Sequence, residues 1–341
     1  MISIKDFINK LRIKKKFVFL LSGFTILSAA VFLFFFLSKK PKVTNEIPCV
    51  NWQERLGINL PSGFNFANDS LPINDSIFLT KLKKFLPQKK NVSKQMETVI
   101  KRAEQWFPVI ESILKKNNLP EDLKYIAVTE SRLNNAVSPR GAAGFWQLMR
   151  PTAIKYGLEI NDNIDERLSV NKSTKAACKY LNEAHRQLGC WALAAAGYNL
   201  GINGVAKQVK IQNTKNYFDL DLNSETEAYV FKLIALKYVF ENTREFGINI
   251  PRKNNSKPIF QTYSSDSSVI HLHALVTKYN LDFDLFKKMN PWMKNEKFNN
   301  AERKTYTFEY PKPYTLENFK KFLFKNETKD KDSITEFHSK S

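Results

Sequence analysis

Leu119-Pro120-Glu121-Asp122-Leu123-Lys124-Tyr125-Ile126-Ala127-Val128-Thr129-Glu130-Ser131 opens like a helix and places a carboxylate where an apolar residue is expected. Pro120 suits a first turn, and Glu121 and Asp122 complement the positive end of the helix dipole. The apolar stripe runs Leu123, Ile126, Ala127, and its next member at i+7 is Glu130. Glu130 therefore projects from the face expected to be buried, close to the helix C-terminus. Apolar surroundings and the negative end of the dipole both favour the neutral acid, so its pKa is expected to be raised. A carboxyl group that keeps its proton near neutral pH is what a general acid for glycosidic cleavage requires. The same stripe is also compatible with a glutamate that bends out to solvent at a fraying helix end or pairs with a Lys or Arg.

Downstream, Ser138-Pro139-Arg140-Gly141-Ala142-Ala143-Gly144-Phe145-Trp146-Gln147 is a run of small residues closed by two aromatics and an amide. Gly and Ala let the backbone come close to a ligand or to another segment. Trp146 is placed to stack on a sugar face or to fill a core; Ser138 and Gln147 are placed to hydrogen-bond a substrate or orient the acid. Trp191 to Tyr198 is nearly all apolar and Ala-rich, which predicts a helix buried on every side that delivers Tyr198 and Asn199 to its end. Ser224-Glu225-Thr226-Glu227 reads as a capping box. The helix it opens has the stripe Tyr229, Leu233, Leu236, Phe240, so the Tyr229 hydroxyl faces inward and needs a polar partner, with Glu130 the candidate.

In this order the pieces resemble the Slt-type lytic transglycosylase domain, whose fold is like that of goose-type lysozyme. The motifs are Glu130-Ser131; Ser138-x-x-Gly141-Ala142-x-Gly144-x-Trp146-Gln147-x-Met149 with Thr152 following; Ala196-Gly197-Tyr198-Asn199-x-Gly201; and Glu225-Thr226-x-x-Tyr229-Val230. The spacer from Glu130 to Ser138 is one residue shorter than in common members, and Gly197 separates the usual Ala and Tyr. The resemblance implies a mainly α lysozyme-like catalytic domain, with Glu130 as the single acid/base. It implies that Ser138 and Gln147 line the site, that Tyr198 and Asn199 form the third motif, and that Tyr229 bonds the catalytic glutamate. It further implies a carbon–oxygen lyase reaction on peptidoglycan glycan strands, cleaving between N-acetylmuramic acid and N-acetylglucosamine and leaving 1,6-anhydro ends. That departs from the usual pair of carboxylates in glycosidases. Asp162, Asp165 and Glu166 are the candidates for a second carboxylate, although capping and surface solvation are their simpler roles. The rival functions are a muramidase that hydrolyses the same bond and a non-catalytic peptidoglycan-binding scaffold.

Around this centre, Phe17 to Leu37 is free of charge and long enough for a helix to cross a bilayer, which takes about 20 residues. Six basic residues from Lys5 to Lys16 precede it and three from Lys39 to Lys42 follow, so the positive-inside rule puts the remainder outside the inner membrane, in the periplasm. The expected divisions are a cytoplasmic stretch 1–16, an anchor 17–37, a linker 38–77, and a catalytic domain 78–250 with its core at 107–242. A small module at 259–311 and a charged tail at 312–341 follow. The module has helix-period stripes ending at Asn290-Pro291-Trp292 and a β-prone Tyr306–Tyr310. It resembles a LysM glycan-binding unit, a small α+β fold, with Ser265-Asp266-Ser267-Ser268 in place of the usual Gly-Asp-Thr start.

Lys and Arg number 53 against 33 Asp and Glu, a formal charge of +20 that favours anionic partners. The basic residues are spread out and carry no nucleic-acid-binding signature, so no nucleic acid is expected. Cys49, Cys178 and Cys190 form no CxxC pair and the four histidines show no ligand spacing, so no metal or organic cofactor is expected. Cys178 and Cys190 read either as a disulfide or as two small core thiols.

Overall fold

Helix patterning in the middle of the chain becomes a bundle, and the computed structural model describes residues 51–88, 94–248 and 260–312. The stretches expected as cytoplasmic segment, membrane anchor and first part of the linker, and nearly all of the charged tail, lie outside the described residues, as does Cys49. Among the described residues no helix is long and apolar enough to cross a membrane.

The bundle is built from α1 (Trp52–Leu56), α2 (Ser76–Lys83), α3 (Lys94–Lys116), α4 (Lys124–Ser131), α5 (Arg150–Lys155), α6 (Val170–Leu188), α7 (Trp191–Leu200), α8 (Ile202–Gln212) and α9 (Ser224–Glu241). Helix α3 buries a stripe that includes Val99, Ile100, Ala103, Ile110 and Leu114. Helix α6 is capped by Ser169, whose side chain accepts from the Lys172 amide, and it stops at Gly189 with φ 91°. Every residue from Ala192 to Gly197 of α7 is buried, as its composition predicts. Small side chains there let the surrounding helices approach closely. Helix α9 opens at Ser224, but its cap is Asn223, which accepts from the Thr226 amide. Asn223 caps the helix one residue ahead of the expected capping box, with non-helical φ −57° and ψ 152°.

The described part of the expected linker is instead integral to the core. Ile58, Leu60, Phe64, Phe66 and Leu71 are all buried. A two-strand hairpin, β1 (Asn65–Phe66) with β2 (Asp69–Ser70), is held from both sides. Asp122 accepts from the Ala67 amide at 2.7 Å and also takes Lys237 at 2.7 Å, while Asp69 accepts from the Ala192 amide at 2.7 Å. Single apolar residues between polar ones have no period to betray them, which is why the segment reads as linker in the sequence.

The C-terminal module pairs β3 (Phe260–Ser265) antiparallel with β6 (Tyr306–Pro311) and packs α10 (Leu272–Tyr279) and α11 (Phe283–Met289) beside them. A second short pair, β4 (Val269–His271) with β5 (Lys297–Asn299), completes the small α+β unit. Its core of Ile270, Leu272, Leu285, Phe286, Trp292 and Phe308 takes in Ile164 of the helical body, which is 0 % exposed, with Trp106 and Leu168 packed against it.

Candidate active site

Glu130 is the penultimate residue of α4, and the chain turns away from the helix immediately after it. Arg132 and Leu133 both have left-handed backbone, with φ 54° and 56°. From α9, the Tyr229 hydroxyl donates to Glu130 Oε1 at 2.6 Å. Burial pushes the Glu130 carboxyl from the usual 4.5 up to about 7; the Tyr229 hydrogen bond pulls it back, negative Glu225 pushes it up, and Lys232 opposes. Burial likewise holds the Tyr229 hydroxyl well above its ordinary value, with the adjacent carboxylate adding to the effect. Tyr229 therefore stays a donor throughout the range in which Glu130 titrates. Glu225, Tyr229 and Lys232 are spaced i−4 and i+3 on one helix, so all three face the same side. That spacing is a signal in the sequence by which Glu225 and Lys232 could have been assigned to the site.

The small-residue run forms a tight loop pinned to Glu130's helix. Ser131, next to the acid, donates its hydroxyl to the Phe145 carbonyl at 2.8 Å. Ser138 closes the near end of the loop: its amide donates to the Ala142 carbonyl at 2.8 Å and its hydroxyl accepts from the Ala142 amide at 3.0 Å. Isolated bridges join Val137 to Ala143 and Ala143 to Leu148. Gln147 adopts φ 44°, and its amide nitrogen donates to the carbonyls of Ala136 and Gly144 at 3.0 and 2.8 Å. The loop thus locks the Gln147 side chain rather than leaving its NH2 free for a substrate.

Trp146 is 0 % exposed and its indole N–H donates to Thr174 at 2.8 Å. Stacking on a sugar is therefore excluded in this conformation. The Trp instead anchors the loop in the core, because a buried indole needs both apolar packing and an acceptor for its N–H. Tyr198 donates to the Trp146 carbonyl at 2.7 Å and so fixes the loop from α7. Asn199 lies at the end of α7, as expected. Its nitrogen donates to Glu225 at 3.1 Å and its oxygen accepts from the Thr226 hydroxyl at 2.8 Å. The third and fourth motifs are thereby joined through side chains.

Asp165 and Glu166 are buried rather than solvated at the surface. Asp165 binds Arg167 through both oxygens, at 2.9 and 2.8 Å, and Glu166 binds Lys172 at 2.5 Å. Both carboxylates are committed to structural ion pairs. Asp162 is exposed, on the loop that touches the C-terminal module. Cys178 is buried and Cys190 is half-buried, and both are free thiols.

The site therefore consists of one half-buried acid near neutrality, a tyrosine that bonds it, and a glycine-bearing loop pinned beside it. Residues 107–220 match the family model described as Transglycosylase SLT domain. Residues 261–313 match the model of the soluble lytic transglycosylase C-terminal LysM-like domain. The chain is 31% identical over 201 residues to membrane-bound lytic murein transglycosylase D of Escherichia coli strain K12, with 57% of this chain and 43% of the relative covered. The same figures hold for that protein from Escherichia coli O6:H1 strain CFT073. The chain thus spans less than half the length of these curated relatives. Among solved structures, the crystal structure of the 70 kDa soluble lytic transglycosylase of Escherichia coli aligns with 60% of this chain and 42% of its own. The TM-score is 0.37 at 15% identity, too low to carry an argument.

Proposed function

We propose that the chain is a peptidoglycan lytic transglycosylase that acts on the bond from N-acetylmuramic acid to N-acetylglucosamine. The observation that carries this reading is Glu130, a half-buried carboxyl whose pKa is raised to about 7 by desolvation and which accepts from Tyr229. Protonated Glu130 donates to the glycosidic oxygen as the bond to the muramoyl C1 breaks. The resulting carboxylate then takes the proton of the muramoyl C6 hydroxyl, whose oxygen attacks C1 and closes the 1,6-anhydro ring. The proton is returned, no water is consumed, and one carboxyl group serves both steps because its pKa lies between donor and acceptor roles. Asp165 and Glu166, with their oxygens on Arg167 and Lys172, are engaged elsewhere, which favours this one-carboxyl route over a paired arrangement.

In the same reading, the apolar run 17–37 anchors the enzyme in the inner membrane with its SLT domain in the periplasm, and the glycan strand is its partner. The names of the two curated relatives, both membrane-bound, support that placement. The rival hydrolase is separated by its products. Purified chain is incubated with peptidoglycan and the released muropeptides are weighed. Ends lighter by one water, missing with Glu130→Gln, are expected; ordinary reducing ends would replace the lyase by a muramidase, and no release would leave a wall-binding scaffold.

A further inference from the structure

The C-terminal module meets the SLT domain beside the loop that carries Gln147, and it does so through backbone pairing rather than through a flexible contact. The Asp165 amide donates to the Trp292 carbonyl at 2.8 Å and the Lys294 amide to the Asn163 carbonyl at 2.9 Å, an antiparallel bridge between Ile164 and Met293. Ile164 is enclosed within the module's own core. Glu159 takes the Tyr306 hydroxyl at 3.1 Å and pairs with Lys304, and Lys172 lies 4.1 Å over the Trp292 ring.

From that seam a chain of hydrogen bonds runs inward. Asp165 grips the Arg167 guanidinium through both oxygens, and the side chain of Arg167 is only 8% exposed. Its remaining nitrogen donates to the carbonyls of Gly141 at 2.6 Å and Leu148 at 3.1 Å, the two ends of the loop. At the middle of the loop, Gly144 has φ +79° and lies so close to the Arg167 carbonyl that no Cβ fits. A second route is aromatic: Phe260 of the module stacks on Trp106 at 6.3 Å, which meets Phe145 edge-on at 5.3 Å. A guanidinium serves here because its fixed fork satisfies a carboxylate on one edge and carbonyls on the other, which an ammonium cannot do.

We propose that Arg167 is a positioning residue for the Gly141–Leu148 loop, and that the LysM-like module, by pairing with Asn163–Asp165, holds Arg167 in place and is thus a structural part of the active site. The proposal rests on the reading of Glu130 as the acid; a tethered glycan hook would not need this seam.

The test is amide hydrogen exchange on the full chain, combined with turnover of peptidoglycan over pH. Ile164→Ser weakens the seam far from Glu130, and Arg167→Met removes the fork. In each, the amides of Gly141, Gly144 and Leu148 are expected to exchange at least about tenfold faster while those of Ala192–Ala196 in α7 keep their protection. In Arg167→Met, kcat is expected to fall more than KM changes, with the Glu130 limb of the pH profile unmoved; Arg167→Lys is expected not to restore it. Fast exchange of the module's Phe308 amide in Ile164→Ser with the loop amides unchanged would overturn the proposal. If Ile164→Ser also loses α7 protection, the milder pair Lys304→Ala/Tyr306→Phe decides in its place: faster loop exchange supports the proposal and unchanged loop exchange refutes it. Exchange is read without activity, so an inactive wild-type chain would refute the transglycosylase reading and leave this result standing.

Discussion

Two halves of one site are built in opposite ways. The acid half is carried by helices: Glu130 on α4 and Tyr229 on α9, each fixed by the burial of its own helix face and joined by a single bond of 2.6 Å. The loop half has almost no regular structure. It holds its shape through side chains that reach its backbone carbonyls from Ser131, Tyr198 and Arg167. Helices tolerate the loss of one side chain because neighbouring turns remain bonded, whereas such a loop depends on each of its few external bonds. On the proposed reading, the helical half supplies the acid and its pH dependence, and the loop half is the part expected to place the substrate beside it.

The largest expected effect would break the acid half. Glu130→Gln removes the proton donor, and product release is expected to fall by about 10²- to 10⁴-fold. The same change should stabilise the fold above neutral pH. A carboxyl raised on folding leaves stability intact below about 4.5 and removes it as pH climbs through about 7. The rise from 4.5 to about 7 corresponds to about 3 kcal/mol. Urea unfolding at pH 5 and pH 9 checks this: wild type should lose stability between the two and Glu130→Gln should not. Equal losses in both would mean that the carboxyl is solvated.

The next effect would break the loop half alone. Gly144→Ala must force a Cβ against the Arg167 carbonyl at a left-handed φ, and a cost of more than about 2 kcal/mol is expected. Activity should fall by about 100-fold through misplacement, with the pH limb of Glu130 unshifted. A shifted limb would show that the two halves are not separable. Tyr229→Phe then sharpens the acid half. Its hydrogen bond lowers the Glu130 pKa, so its loss should move the limb to higher pH while turnover drops about tenfold. A limb moving to lower pH would contradict the assigned direction of that bond. Smallest is Glu225→Gln: removing the negative charge that helps raise Glu130 should move the limb to lower pH with little change in turnover at its plateau. The profile of kcat/KM against pH reads both.

Legibility followed the same division. Glu130 at the i+7 position of an apolar stripe and Tyr229 on the inner face of its helix were readable, because a helix repeats its geometry every few residues. The buried Ala192–Gly197 run was readable from composition alone. Trp146 reads in the sequence as a loop aromatic with sugar face and core both open, since the choice between them depends on Thr174 lying across from its N–H. Ile58, Phe64 and Phe66 give no periodic signal and read as linker in the sequence, although Asp122 and Asp69 hold the hairpin beside them in the core.

By itself, the sequence determined the helices, the acid on an apolar stripe and the tyrosine on the inner face of its helix, because apolar spacing along one helix is a local property that each segment carries within itself. Only the tertiary structure decided that Asp165 and Glu166 would be spent on Arg167 and Lys172, that Arg167 would brace Gly141 and Leu148, and that the C-terminal module would close over Ile164. Those contacts join backbone carbonyls and strand edges of segments far apart in the chain. Every residue offers the same amide and carbonyl, so nothing in a side-chain pattern announces which of them will meet.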